Sequence, residues 1–391
     1  MSTEIALSNV HESLIKNFES SLVTCSVFLD ISKAFDSVDH ELLLRKLEMY
    51  GVRGLPLELL RSYLTDRYQY TKIDGNMSTF LPVTCGVPQG SVLGPFLFSV
   101  FVNDLPAVTE METTLFADDA CFSFGHLNLE VLELYVNNEL KKISKWYSNN
   151  KLALNVDKSN CILIHRKKQK IKINLVLNDV LLEQLEEVKY LGITIDEHLN
   201  WKSHIYNCTL QLNKCLWAIT KLRPYTTIST LKLVYYALAY PYIQYCITTW
   251  GGASDLSLKP LLIKQKRIIK TMLYEPTISR SSPLFHKLNL LKLNEIYDLK
   301  VGTQMFKVNQ KNSNFLHEIP LISSVHDHNT RLNSNANYYK HSVTSELGKT
   351  AFSYYGPKVW NTIPMDVRNS TAFQFKSLYK DHLLQKYLSL P

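Results

Sequence analysis

No apolar run in these 391 residues approaches the roughly 18 consecutive residues that a bilayer-spanning helix needs, and the N-terminus lacks the charged-then-apolar order of a secretory signal. The chain therefore reads as soluble and intracellular, without membrane partners, with nucleus and cytoplasm indistinguishable. Paired cysteine motifs are missing as well. Seven thiols, Cys25, Cys85, Cys121, Cys161, Cys208, Cys215 and Cys246, are scattered without one CxxC. An odd, dispersed set in mostly apolar surroundings excludes a disulfide framework and a zinc module, and reads as buried, reduced cysteine. Repeats of about 20 to 50 residues and low-complexity linkers are absent too. Acid is missing from His198 through Ser254, and no basic side chain precedes Lys16.

What is there is globular: 46% hydrophobic, 20% charged and rich in tyrosine. The length predicts two or three domains, at roughly 100 to 200 residues each. A formal charge of +8 suits a polyanionic partner. Lys202, Lys214, Lys221, Arg223 and Lys232 occupy the acid-free stretch, and Lys259, Lys264, Lys266, Arg267 and Lys270 follow. Among them stand Trp201, Tyr206, Trp217, Tyr225, Tyr235, Tyr236 and Trp250. Interleaved cations and rings are what a nucleic-acid track needs, while an ordinary helical domain with a solvated basic face would show the same composition.

The pattern predicts a helix over 4–20, a buried strand from Ser26 to Ile31 ending near Asp30, and helices behind Asp39 and near Leu57–Leu64. A hairpin follows from Tyr68 to Val83 around Asp74-Gly75-Asn76. Then comes the loop Cys85-Gly86-Val87-Pro88-Gln89-Gly90-Ser91-Val92-Leu93-Gly94-Pro95, whose glycines let backbone approach a ligand. Phe116-Ala117-Asp118-Asp119 lies between two apolar runs and reads as a hairpin tip with adjacent carboxylates. Two acids there cannot both be buried bare, because repulsion and desolvation oppose ionisation; a hard divalent cation resolves the conflict, and so does simple exposure to water. A helix over 129–149, a strand at Cys161–His165, a basic run at 166–170 and strands at 171–177 and 188–195 come next. Helices follow to about residue 275, then a mixed, polar region and an amphipathic tail at 373–387.

Phe28-Leu29-Asp30-Ile31-Ser32-Lys33-Ala34-Phe35-Asp36, the Gly86-to-Pro95 loop and Phe116-Ala117-Asp118-Asp119, in this order and spacing, resemble the palm motifs of reverse transcriptases of non-LTR (LINE-like) retrotransposons. Gly356-Pro357-Lys358-Val359-Trp360-Asn361-Thr362-Ile363-Pro364 resembles the tail that follows the polymerase in some of these elements. The resemblance implies an α+β, right-hand polymerase palm on an antiparallel sheet, followed by a helical thumb and a C-terminal region. Its divisions fall at 1–20 (remnant of fingers), 21–196 (palm), 197–275 (thumb) and 276–391 (role unassigned). It implies RNA-directed DNA polymerase activity on an RNA template and DNA primer with deoxynucleotide triphosphates. Two Mg2+ ions, with Mn2+ able to stand in, would be held by Asp30, Asp118, Asp119 and the Ile31 carbonyl.

Further roles follow from the resemblance. Phe35 would exclude a ribose 2′-hydroxyl, Gln89 and Gly90 would contact nucleotide and template, Lys158 would protonate the leaving pyrophosphate, and Tyr190-Leu191-Gly192 would grip the primer. Only about 20 residues precede the strand that bears Asp30, with no basic residue before Lys16 to clamp a triphosphate, which reads as an N-terminal truncation. The rival reading is a catalytically incompetent remnant that retains nucleic-acid binding. Oligomeric state is not legible.

Overall fold

The computed structural model describes residues 2–166, 170–311, 319–325 and 337–388; residues 167–169 of the basic run lie outside these. Contacts group the chain into two compact units: Leu22–Val188, built on a sheet, and a helical unit that joins Met1–Ser21 to Lys189–Pro391. The first helix, α1 (Thr3–Glu19), thus belongs with the C-terminal helices, where the motif order had set residues 1–20 aside as a separate remnant.

In the sheet unit, β1 (Val23–Ile31) runs longer than expected, because Val23, Thr24 and Cys25 also find partners. Two exposed pairs make the next hairpin, β2 (Tyr68–Gln69) with β5 (Leu81–Pro82) and β3 (Lys72–Ile73) with β4 (Asn76–Met77). The principal sheet adds β6 (Glu112–Phe116), β7 (Asp119–His126), β8 (Leu154–Ile164) and, after the short pair β9 (Val176–Leu177) and β10 (Val180–Leu181), β11 (Glu183–Leu185). Its order is β11-β8-β1-β7-β6, antiparallel except where β11 runs parallel to β8. β8 starts well before the strand expected at Cys161–His165, taking in Asn155–Ser159. Of the strand expected at 171–177 only Val176–Leu177 forms.

Alternation along β1, β7 and β8 sends Val27, Leu29, Phe122, Cys161 and Leu163 to one face. There they bury against α2 (His40–Met49), α4 (Leu93–Val102) and α5 (Leu129–Asn149), with Phe98, Phe101, Leu140 and Ile143 fully enclosed. Asp39 starts α2, its Oδ1 accepting from the Leu42 N–H at 2.9 Å. A shorter helix, α3 (Leu55–Leu64), follows, with a proline in its first turn.

The chain returns to the helical unit at Lys189, within β12 (Glu187–Tyr190), which pairs with β13 (Ile193–Asp196) where a single strand was read over 188–195. The main helices of this unit are α6 (Lys202–Leu222), α7 (Ile228–Leu238), α8 (Tyr240–Gln244), α9 (Ile247–Trp250) and α10 (Asp255–Met272). Beyond residue 275, where the pattern looked mixed before its amphipathic tail, the described residues include further helices: α11 (Ser281–Lys287), α12 (Leu293–Asn309), α13 (Ile322–Val325), α14 (Phe352–Trp360), α15 (Met365–Arg368) and, at the expected tail, α16 (Ala372–Gln385). Among the described residues no helix is long and apolar enough to cross a membrane.

Polar contacts tie α1 into this unit. Ala6 through Ile15 are all buried, polar residues included. Ser8 Oγ lies 3.2 Å from Thr248 Oγ1, and the Glu12 carboxylate accepts from the Phe352 N–H at 2.8 Å. Glu12 so caps α14, whose own preceding residue offers no side-chain acceptor. His11 meets Trp201 edge-on and His204 meets Trp250 likewise, and burial pushes the two imidazoles down to about 3 and about 4.

A histidine held neutral by burial binds protons in the unfolded chain first, so stability present above about pH 6.5 is lost as pH falls through the folded values. We predict that the melting temperature of the helical unit drops between pH 7 and pH 4. The drop should shrink in His11→Phe, which keeps an aromatic edge against Trp201; a pH series of thermal melts checks it.

Candidate active site

β1 lies between β7 and β8, so whatever ends this strand is flanked on both sides. The β1–β7 register runs from Val23↔His126 to Leu29↔Ala120, and one further step sets Asp30 opposite Asp119. Directly opposed residues of an antiparallel pair share a face, so the two carboxylates stand together on the side away from the helical core. Asp118 lies in the two-residue turn between β6 and β7, closed by Phe116↔Asp119. Ala117, the first residue of that turn, has φ +52°, left-handed backbone that glycine adopts freely and that costs alanine on the order of 1 kcal/mol or more.

The electrostatics record this crowding. Burial first, then the Asp118 and Asp30 charges, push the Asp119 carboxyl up from its ordinary range. Asp30 is about one-third exposed, and the Lys158 ammonium on β8 reaches within 4.0 Å of its Oδ2. The Asp30 N–H donates to Ser159 Oγ at 3.2 Å, where the β1–β8 register shifts. Ile31 is buried opposite Leu154. The donor set, carboxylate oxygens that repel one another, fits a hard divalent cation. Among the described residues no three His, Cys, Asp or Glu side chains already converge into a metal-binding group.

The glycine loop docks onto the turn after β1. Val87 N–H donates to the Phe35 carbonyl and Gly86 N–H to the Val38 carbonyl, each at 2.8 Å. Gln89 Nε2 donates to Asp36 Oδ1 at 2.9 Å, while Gly90 is exposed with φ +82°. Phe35 is half-buried, its ring centroid 4.7 Å from that of Phe98. Beside the loop opens a cleft of about 720 Å3, floored by Lys33, Asp36, Arg67 and the loop backbone.

Sequence reasoning missed three members of this arrangement. Asp36 holds Gln89, His40 Nε2 bonds the Gly86 carbonyl at 2.8 Å, and Ser91 Oγ bridges the Pro88 carbonyl and the Gly94 N–H. Ser91 was legible as a possible cap within its own loop; the other two pairings cross from one segment to another.

Tyr190, Leu191 and Gly192 belong to the helical unit apart from the chain's boundary at Val188. Tyr190 is buried, and Leu191 and Gly192 form the turn with φ +44° and +81°. The Tyr245 hydroxyl donates to the Leu191 carbonyl at 2.7 Å. The aromatic, basic stretch divides. Trp201, Tyr235 and Trp250 are core, whereas Tyr206, Trp217 and Tyr225 are exposed. All seven cysteines are free; six are buried and Cys85 is exposed.

Opposed acids on the central strands of an antiparallel sheet, with a glycine loop fastened beside them, define a polymerase-type palm. Residues 5–195 match the family model described as reverse transcriptase (RNA-dependent DNA polymerase), and the relatives to which the chain is similar are polymerases of non-LTR retrotransposons. The RNA-directed DNA polymerase from mobile element jockey of Drosophila melanogaster is 28% identical over 294 residues, covering 72% of this chain and 32% of that protein. A probable RNA-directed DNA polymerase from transposon BS of the same organism is 27% identical over 301 residues, with the same coverage. The chain thus spans about a third of the length of these curated relatives. A solved telomerase from Candida albicans aligns over 74% of this chain and 58% of its own at 13% identity and TM-score 0.39, too slight a likeness to carry an argument.

Gly86 has φ +86°, and a Cβ there would lie 2.8 Å from the Asp36 Cα. Gly86→Ala should therefore destabilise the sheet unit by about 2 kcal/mol or more, read as a lower urea midpoint at unchanged m-value.

Proposed function

We propose that this chain catalyses RNA-directed DNA synthesis, adding deoxynucleotides to the 3′-end of a DNA primer on an RNA template by two-metal phosphoryl transfer. The observation that carries this reading is the opposition of Asp30 and Asp119 across adjoining strands, with Asp118 in the next turn, inside the stretch matched by the reverse transcriptase model. Asp30, Asp118, Asp119 and the Ile31 carbonyl would hold the metal. When bound there, Mg2+, or Mn2+ in its place, would supply charge neutralisation at the attacking hydroxyl and the leaving pyrophosphate.

The chain's own groups do the remainder. Lys158 Nζ, exposed and 4.0 Å from Asp30 Oδ2, gives its proton to the leaving pyrophosphate. Phe35, steadied by Phe98, closes the space a ribose 2′-hydroxyl would occupy, favouring deoxynucleotides. Gln89, oriented by Asp36, and Gly90, whose backbone is unshielded by a side chain, contact the incoming nucleotide and template. The Tyr190-Leu191-Gly192 turn, pinned by Tyr245, grips the primer end. Residues 197–275 act as the thumb along the duplex, with Trp217, Tyr206 and Tyr225 outermost.

Primer extension on an RNA template with Mg2+ and deoxynucleotides tests this. Losing interactions worth several kcal/mol at the metal, the Asp118→Ala, Asp119→Ala double variant should fall roughly a thousandfold or more. Phe35→Ala should raise ribonucleotide incorporation relative to deoxynucleotide. Absence of product from folded wild-type protein would overturn the reading in favour of nucleic-acid binding alone.

A further inference from the structure

The helical unit encloses a cavity of about 310 Å3 that the proposed chemistry does not use, at the small end of the range of about 300 to 1,000 Å3 typical of ligand pockets. The first turn of α1, one stripe of α12, Tyr240 and Lys376 line it. The stripe consists of Lys300, Thr303, Gln304 and Lys307, at the three- and four-residue spacing that shares a helix face. Three lysines, Lys300, Lys307 and Lys376, thus share the lining with one carboxylate, Glu4. Lys300 Nζ pairs with Glu4 Oε2 at 3.3 Å, while Lys307 and Lys376 have no ion pair among the described residues.

The positive charge continues one turn along α16. Burial first, then Lys232, hold Lys380 below the ordinary lysine range, with Lys376 adding to the effect and Asp381 opposing it. Lysines gathered this closely repel unless an anion lies among them. Two lining residues also carry enclosed atoms that find no partner among the described residues. Gln304 is 8% exposed and its Nε2 meets no hydrogen-bond acceptor there; Glu4 Oε1 meets no donor.

A simple anion would satisfy the lysines and Gln304 and leave the Glu4 oxygen unmet. A ligand that suits the cavity must bring an acceptor-rich anion and, beside it, a hydroxyl or amine donor. Ribose-phosphate backbone has this pair of groups, since the 2′-hydroxyl adjoins the phosphodiester; deoxyribose lacks the donor. We infer that this cavity binds the backbone of single-stranded RNA, with the phosphodiester at Lys307, Lys376 and Gln304 and the neighbouring 2′-hydroxyl donating to Glu4. Naming the polyanion as RNA rests on the polymerase reading above. The site gives the C-terminal helices α12 and α16 a role in holding RNA, one in which α1 takes part.

The test is titration of the full chain against a short fluorescent single-stranded RNA and the DNA of the same sequence, over a series of salt concentrations. The Lys307→Gln, Lys376→Gln double variant should bind RNA about tenfold more weakly, and its log–log salt slope should fall by about 1.4, the value for two single-strand phosphate contacts. Glu4→Ala should bring the RNA-to-DNA affinity ratio down toward one. Wild-type affinity and slope in the double variant would overturn the phosphate site. Equal wild-type affinity for RNA and DNA would overturn the ribose contact, and displacement of RNA by polyglutamate through the same lysines would identify an acidic peptide as the occupant instead. Thermal melts establish that each variant folds, and the exposed Lys376→Gln alone serves where the double variant does not. Primer extension runs alongside: its failure in wild-type protein that still binds RNA through these lysines would remove the polymerase reading and leave the site standing.

Discussion

The sheet unit depends on β1 being hydrogen-bonded along both edges, to β7 on one side and β8 on the other. A strand so placed cannot slip by one residue without turning Val27 and Leu29 out of the core and Ser26 and Phe28 into it. That penalty fixes the position of its last residues. Asp30 faces Asp119 because the apolar residues earlier in the strand have already chosen the register, and Lys158 of β8 comes within reach of Asp30 by the same constraint.

Around this fixed point the less regular segments are fastened by backbone hydrogen bonds. The loop at 85–90 takes its shape from the turn at 34–38, through the Phe35 and Val38 carbonyls, and Gly86 is required because a side chain there would run into the Asp36 backbone. Rigid strands carry the acids; a docked loop with an exposed Gln89 and Gly90 faces the adjoining cleft. Such a division sets charged groups on elements that hold them still and leaves contact with a ligand to backbone that can approach closely.

The helical unit is held differently. Its N-terminal helix contributes polar groups that the C-terminal helices lack: Glu12 supplies the acceptor at the start of α14, and Glu19 bonds Thr344 and Ser345. Gln265 shows the same economy at its centre, donating to the Tyr235 hydroxyl and the Leu291 carbonyl while accepting from the Leu293 N–H. Buried polar side chains of this kind specify one arrangement of helices, because each alternative leaves a donor or acceptor unmatched.

Much was legible before any coordinates. The apolar periods gave α1, α2 and α5 to within a few residues, and the glycine loop and the Asp118-Asp119 turn stood out by residue type alone, since turn chemistry and helix caps are local. Beyond residue 275 only the amphipathic tail, α16, was legible: α12 is apolar on more than one side, with Val301, Met305 and Phe306 all buried, so it shows no clean amphipathic stripe. Nor was the membership of α1, whose buried Glu12 and Ser8 look like surface residues until Phe352 and Thr248 are brought to them. By itself the sequence determined the order of the motifs and the chemistry of their side chains. Only the tertiary structure decided which groups meet, Asp30 with Asp119, Gln89 with Asp36, Glu4 with Lys300, because register and long-range burial are properties of the folded whole and leave no mark in any local window.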